Sequence, residues 1–265
     1  MNDEAEDKGV RLNRFLASCG VGSRRACDAL IQEGRVEVNG KITIDLATRI
    51  HPGDHVKFDG KMVKGQTPLT VVLNKPKKFL CTRHDPEGRD TIYQLLPKTF
   101  ATLHYVGRLD YDSSGLILLT SDGDLTERLT HPRFHVEKEY EVLLDRTFEP
   151  ASIPTLLEGL QFPEGLAKAE SIQIEAKRRL RVILTQGYNR QIRRMFSKLG
   201  YKVTRLERVR IGSLVMPLLG VGEYHILTHR EIEAAGSNPG PVKKRRPRHG
   251  GDPSKRREAG SSDDQ

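Results

Sequence analysis

The run Val106-Gly107-Arg108-Leu109-Asp110-Tyr111-Asp112-Ser113-Ser114-Gly115 sets a guanidinium and two carboxylates between glycines, just ahead of the apolar stretch Leu116-Ile117-Leu118-Leu119. A polar loop feeding a buried strand is a common seat of chemistry, because the strand holds still what the loop presents. Spacing alone leaves several chemistries open. Asp110 and Asp112 can hold Mg²⁺ for phosphoryl transfer, as in aspartate-based phosphatases, but that chemistry wants an apolar strand directly before the first aspartate, and Val106-Gly107-Arg108-Leu109 is a poor one. Asp112-Ser113-Ser114-Gly115 approaches an aspartic-protease loop, yet the second residue after the aspartate is not glycine. An aspartate that only forms a turn or caps a helix needs no chemistry at all.

The composition narrows the partner. The 265 residues carry a net charge of +9, and that charge is focal. Residues 185–210 hold eight basic side chains against the single acid Glu207, and residues 236–265 hold eight against four. Focused positive charge is what a surface meeting a polyanion requires. The apolar runs at 69–73 and 116–119 fall far short of the roughly 18 residues of a membrane span, so no membrane partner is expected. The acidic start, Met1-Asn2-Asp3-Glu4-Ala5-Glu6-Asp7, has no apolar core of a leader, so a cytoplasmic location is expected. Cys19, Cys27 and Cys81 form no CxxC and are read as reduced, mostly buried thiols. His131 and His135 stand four apart, but Pro132 between them argues against one helix face, so they are read as structural and no metal site is expected.

The elements that position these residues fall into two units. Leu12, Phe15 and Leu16 give a first helix; Ser23 is the N-cap of a second, with Ala26, Cys27, Leu30 and Ile31 turned inward. Val36-Glu37-Val38 runs into Asn39-Gly40, a strong hairpin signal, and Asp59-Gly60 ends the last strand before a polar linker to residue 68. From 69 onward, strands and helices mix without a regular βαβ rhythm: strands at 69–74, 115–120, 139–144, 181–185, 201–211 and 224–227, and helices near 125–129, 154–160 and 190–199, the last capped by Asn189. Thr228 with Glu231 forms a capping box for a helix stopping at Gly236. This predicts an α+β chain with a small helix-and-sheet unit at 10–68 and a largely antiparallel sheet at 69–235. Residues 1–9 and the basic tail 236–265 are expected to be disordered.

The first unit, through Arg11-Leu12-Asn13-Arg14-Phe15-Leu16, Gly22-Ser23-Arg24-Arg25, Gly34-Arg35-Val36-Glu37-Val38-Asn39-Gly40 and Pro52-Gly53-Asp54, resembles the S4 RNA-binding domain. Arg24 and Arg25, in the first turn of the second helix beside its free amides, suit RNA phosphates. The second unit resembles the pseudouridine synthases of the RsuA-like branch. Four blocks carry the likeness: Asn74-Lys75-Pro76 with Asp85-Pro86-Glu87-Gly88-Arg89, then Gly107-Arg108-Leu109-Asp110 with Ser113-x-Gly115-Leu116, then Glu137-Lys138-Glu139-Tyr140, and finally Gly187-Tyr188-Asn189-Arg190-Gln191-Ile192-Arg193-Arg194-Met195. The run Leu80-Cys81-Thr82-Arg83-His84-Asp85 is most like the branch's large-subunit rRNA enzymes.

That resemblance implies an isomerase that breaks the N-glycosidic bond of uridine, turns the base and rejoins it through carbon, with no cofactor. It implies Asp110 as the nucleophile, Tyr140 as the ring stacked on the uracil, and Arg193 as the fixed cation beside Asp110. A carboxylate in a water-poor pocket needs such a cation to stay charged, and a guanidinium can pair with it bidentately. It also implies Ile192 as the apolar wall opposite Tyr140, Arg108 as the filler of the gap left by a flipped base, and Arg190 and Arg194 as phosphate contacts. Asp112 is given a supporting place. Gln186 and Tyr188 stand where an acidic and a basic residue are common, which puts the phosphate contacts of that block in doubt. Ribosomal RNA is the implied partner of a monomer.

Overall fold

The computed structural model describes residues 9–65 and 67–239. The disorder expected at the N-terminus and in the basic tail falls, for 1–8 and 240–265, outside the described residues. The first unit runs β1 (Val10–Arg11), α1 (Leu12–Ser18), α2 (Arg24–Gln32), β2 (Val36–Val38), β3 (Lys41–Ile42), β4 (Arg49–Ile50), β5 (Val56–Phe58) and β6 (Lys61–Met62). Its core is the two inward helix stripes, Leu12 and Leu16 with Cys27 and Ile31, closed by Val36, Ile50 and Val56. The Ser23 side chain accepts the Ala26 amide at 3.2 Å, the cap that the sequence predicts. Asn39 and Gly40 are both left-handed (φ 51° and 79°), as a two-residue hairpin requires. Asp59 and Gly60 repeat that geometry (φ 47° and 73°). They therefore turn the strand rather than end it, and Lys61–Met62, expected in the linker, is the fourth strand of a sheet ordered β3-β2-β5-β6.

The second unit opens with β7 (Thr70–Lys75), β8 (His104–Val106), β9 (Ser114–Thr120), α3 (Gly123–Thr130) and β10 (Lys138–Leu144). There follow α4 (Ile153–Glu158), β11 (Leu160–Phe162), β12 (Gly165–Ala167), β13 (Ser171–Ala176), β14 (Arg179–Leu184) and α5 (Gln191–Lys198). It closes with β15 (Val203–Ile211), β16 (Leu214–Val215), β17 (Tyr224–Ile226) and α6 (His229–Ala235). The fourth helix stops at Gly159 (φ 108°), so Leu160, expected in it, starts a strand. The predicted capping box holds α6 through Thr228 and Glu231.

Nine strands form one sheet in the order β13-β14-β10-β15-β9-β7-β17, with β16 on β15 and β8 on β9. Every pairing is antiparallel except β15 with β9, so the α+β architecture and the largely antiparallel sheet are as expected. The unbroken apolar run of β9 has its reason here. Leu116 and Leu118 face a core shared with Leu125 and Leu129 of α3, while Ile117 and Leu119 face a second core with Val71, Leu73 and Ile92. A strand covered on both faces has no reason to alternate. The half-sheet of β10, β14 and β15 has its own core, built with α4 and α5 from Val142, Leu180, Val182, Leu156, Ile192 and Phe196.

The two halves meet at the short parallel pairing of β9 with β15, where Gly115 stands opposite Arg208. Gly115 has φ 104°, and a Cβ there would lie 2.3 Å from the Arg208 carbonyl oxygen. Only a residue without a side chain fits, on both counts. Gly115→Ala should lower the unfolding free energy by about 3 kcal/mol or more, read from denaturant unfolding; a loss below about 1 kcal/mol would show that the strands meet less tightly than described.

Candidate active site

Asp110 sits on the loop between β8 and β9, and two buried groups hold that loop. Lys75, at the end of β7, is fully buried, and its ammonium donates to the carbonyls of Pro76 (2.9 Å), Asp110 (3.2 Å) and Ser113 (2.9 Å). Burial pulls its pKa down, against the pull of Cys81, Asp110 and Asp112 in the other direction. On the other side the Cys81 thiol donates to the Leu109 carbonyl and accepts the Leu109 amide, both at 3.4 Å. Burial pushes that thiol up, which keeps it neutral. Cys27 and Cys81 are buried and Cys19 is half-buried.

Arg193, on the first turn of α5, reaches the loop from the other half-sheet. Its terminal nitrogens donate to the carbonyls of Val203 (2.9 Å) and Asp112 (3.0 Å) and to the Ser113 hydroxyl (3.3 Å). Its Nε lies 3.8 Å from Asp110 Oδ2, is buried, and has no hydrogen-bond partner. The expected bidentate pair is therefore absent: backbone carbonyls occupy the fork and leave one N–H facing the carboxylate. Burial lowers the Arg193 pKa, Arg190 adds to this, and Asp110 and Asp112 oppose it. The Asp110 side chain is 24% exposed, so the carboxylate sits at the mouth of a pocket rather than sealed inside one.

Arg190 also differs from expectation. It is left-handed (φ 48°) at the N-cap position, so Asn189 does not cap α5, and the Gln191 side chain accepts the Tyr188 amide instead. The turn brings Arg190 within 3.8 Å of Asp110 Oδ2, making it a second cation on the carboxylate. Arg194, expected to meet phosphate, is already engaged: it pairs with both Glu164 oxygens (2.8 and 3.0 Å) and stacks over Phe162. Arg24 and Arg25 are exposed in the first turn of α2, and Arg108 is exposed on the Asp110 loop. His131 caps the short turn Pro132–Phe134 through its ring nitrogen, a structural use.

Tyr140 lies on β10, half-buried between the cores of the two half-sheets. It lines a cavity of about 270 Å³ together with Asp110, Arg190, Tyr188, Lys138 and Arg208; Val106, Leu129 and Ile211 supply apolar wall. Ile192, expected on that wall, is instead 3% exposed inside the core beneath α5 and is not among the lining residues. Its helix position points it at the strands, and Tyr188 stands at the cavity in its place.

Strand alternation sorts the Glu137-Lys138-Glu139-Tyr140 block. Lys138 and Tyr140 face the cavity, while Glu137 and Glu139 are held on the other face by Arg210 (3.0 and 2.5 Å), with Arg181 2.9 Å from Glu139. The register of β15 slips by one residue here, placing Arg210 opposite Glu139 and Arg208 opposite Tyr140. Two residues apart on a regular strand, Arg208 and Arg210 would share a face; the bulge sends one to the cavity and one to the glutamates. No pattern in the sequence marks Lys75 as buried or Arg208 as a lining residue. The only signals were that Lys75 stands in the block Asn74-Lys75-Pro76 and Arg208 in the basic run 185–210.

A family model described as RNA pseudouridylate synthase matches residues 69–198, and the S4 domain model matches residues 10–56. An uncharacterized RNA pseudouridine synthase of Aquifex aeolicus (strain VF5) is 36% identical over 229 residues, covering 84% of this chain and 92% of that protein. The chain belongs to the RNA pseudouridine synthase family. The ribosomal large subunit pseudouridine synthase B of Bacillus subtilis (strain 168) is 34% identical over 230 residues, covering 84% of this chain and 94% of its own length. The protein of that name from Pseudomonas aeruginosa is 36% identical over 250 residues, and the chain spans 64% of its greater length. A crystal structure of a pseudouridylate synthase superposes with a TM-score of 0.63 at 33% identity, over 86% of this chain and all of that one. Membership fixes the enzyme class, an isomerase of uridine in RNA with an S4 unit ahead of its catalytic unit.

Lys75→Met keeps the volume but removes three donated hydrogen bonds from the Asp110 loop. It should cost about 3 kcal/mol of stability and lower the isomerisation rate with RNA affinity held within about twofold. Unfolding and filter binding measured together check this; full activity in the variant would mean the loop does not need the tether.

Proposed function

We propose that this chain isomerises one uridine of large-subunit ribosomal RNA, 23S in a bacterial ribosome, to pseudouridine, with Asp110 as nucleophile and the target base flipped into the cavity. The observation that carries this reading is the convergence of Asp110, Tyr140 and Arg190 on one base-sized cavity, from elements of both half-sheets, with Arg193 3.8 Å from the same carboxylate. A base inside a helix must leave the stack to reach such a cavity, at a cost of a few kcal/mol. Arg108, exposed on the same loop, is set to enter the gap. Tyr140 stacks on the extruded uracil, and the carboxylate of Asp110 attacks the ribose without needing a metal or redox partner. The large-subunit assignment rests on the names of the relatives from Bacillus subtilis and Pseudomonas aeruginosa.

The S4 unit anchors the RNA through Arg24 and Arg25, and the basic tail adds salt-sensitive affinity that does not choose the site. The enzyme works as a monomer in the cytoplasm. No described helix is long and apolar enough to cross a membrane.

Uridine tritiated at C5 in rRNA tests the chemistry, because pseudouridine formation releases that hydrogen. Wild type should release it equally well in EDTA, while Asp110→Asn should bind the RNA and release label about a thousandfold more slowly. Label released by Asp110→Asn at the wild-type rate would end the nucleophile assignment, and a wild type that binds but never releases would make the chain an RNA-binding factor. Because β6 belongs to the S4 sheet, the clean truncation removes residues 1–65. It should weaken rRNA affinity at least about tenfold and change the rate at saturating enzyme much less; the reverse pattern would deny the S4 unit its anchoring role.

A further inference from the structure

Two cations in the cavity have no task in the account given so far. Arg208 is 4% exposed, and its Nε donates to the Leu116 carbonyl at 2.7 Å. Its Nη2 is buried with no hydrogen-bond partner. Lys138, on the neighbouring strand, lines the same cavity, and its ammonium has neither a hydrogen bond nor an ion pair among the described residues. The acids beside Lys138 in sequence, Glu137 and Glu139, face the other side of the sheet and are taken by Arg210 and Arg181, and Glu207, beside Arg208, is paired with Arg205. Two like charges thus share a cavity part-walled by Val106, Leu129 and Ile211, whose one lining acid, Asp110, is approached by Arg190 and Arg193 and forms an ion pair with neither Lys138 nor Arg208. Burial pushes the Lys138 pKa down to about 8, and Arg208 adds to the shift. Such an arrangement is strained while the cavity is empty and is relieved when negative charge enters.

The proposed reaction generates that charge. The bond from ribose C1′ to uracil N1 breaks with its electron pair on N1, as an Asp110 oxygen forms a bond to C1′. The carboxylate loses its charge, and the base becomes an anion with charge spread over N1, O2 and O4. When C5 of the turned base bonds to C1′, the Asp110 oxygen departs with its pair. The C5 hydrogen is then lost as a proton while N1 gains one, which closes the balance.

We propose that Lys138 and Arg208 are catalytic residues that form a cationic seat for the detached uracil anion. This rests on the isomerase reading above. Fixed donors aimed at charge that exists only during the reaction lower its barrier without tightening the ground state. The seat also keeps the free base from leaving while it turns.

The test compares uridine with 5-fluorouridine at the target position, because fluorine withdraws electrons and makes the base a more stable anion by itself. The readout is loss of the N-glycoside in a single turnover at saturating enzyme. Lys138→Met should slow uridine about a hundredfold and 5-fluorouridine markedly less, and Lys138→Arg should recover most of the loss. Matched unfolding curves confirm that the variants fold. Arg208→Lys, milder in packing, should show the same sign with a smaller effect. Equal losses on both bases, or weaker RNA binding with an unchanged rate at saturation, as a phosphate contact would give, would overturn the seat. A wild type that cleaves neither substrate would overturn the isomerase reading itself.

Discussion

The site depends on one close contact, the meeting of β9 and β15 at Gly115 and Arg208. Each half-sheet has its own packed core, and the parallel seam between them is only two residue pairs long. The Asp110 loop comes from one half. Tyr140, Arg190 and Arg193 come from the other. A side chain at position 115 would drive the strands apart by the width of a methyl group, and the distances from Arg190 and Arg193 to Asp110 cross that seam. The loop is also pinned from below by Lys75 and across the seam by Arg193, whose terminal nitrogens reach Asp112 and Ser113. These buried charge-assisted bonds hold backbone rather than substrate, and so set the direction in which the carboxylate points.

Around that single carboxylate the cavity carries Arg108, Arg190, Lys138 and Arg208, and Arg193 reaches the carboxylate from behind the lining. Such a surplus of positive charge suits a substrate that brings its own phosphates and, during reaction, an anionic base. It also requires that nearby acids be kept away. Strand alternation and the bulge in β15 achieve this, turning Glu137 and Glu139 to the far face, where Arg210 and Arg181 neutralise them. Arg194 is withdrawn in a similar way by Glu164 and Phe162, leaving Arg190 as the arginine of that helix start that is open to the cavity.

Much of the molecule was legible from residues alone, because it rests on local physics. Ser23 and Thr228 announced their helices, Asn39-Gly40 its hairpin, and the apolar run at 116–119 a buried strand. Each of these signals reports a preference of a few neighbouring residues, and the tertiary fold agrees with it. The ordered blocks around Asp110, Tyr140 and Arg193 likewise named the residues that meet. The misplacements were of another kind. Asn189 looks like a helix cap, but the chain spends Arg190 in a left-handed turn instead. Ile192 looks like a cavity wall, but its place on α5 turns it into the core. Asp59-Gly60 looks like a strand end, and it is one only if no partner strand follows.

By itself, then, the sequence determined the two-unit α+β organisation and the family, and it singled out the carboxylate, the tyrosine and the arginine proposed for the chemistry, because spacing and motif order are properties of the chain. The tertiary structure alone decided that Arg193 offers Asp110 one N–H rather than two, that Arg190 joins it, that Lys75 lies buried under the loop, and that Arg208 and Lys138 share a cavity whose one lining acid is Asp110. Those outcomes depend on which carbonyls lie within reach and on which face a strand turns to its neighbour. Both are set by a one-residue slip in register and by the approach of two strands distant in sequence, neither of which leaves a periodic trace in the chain.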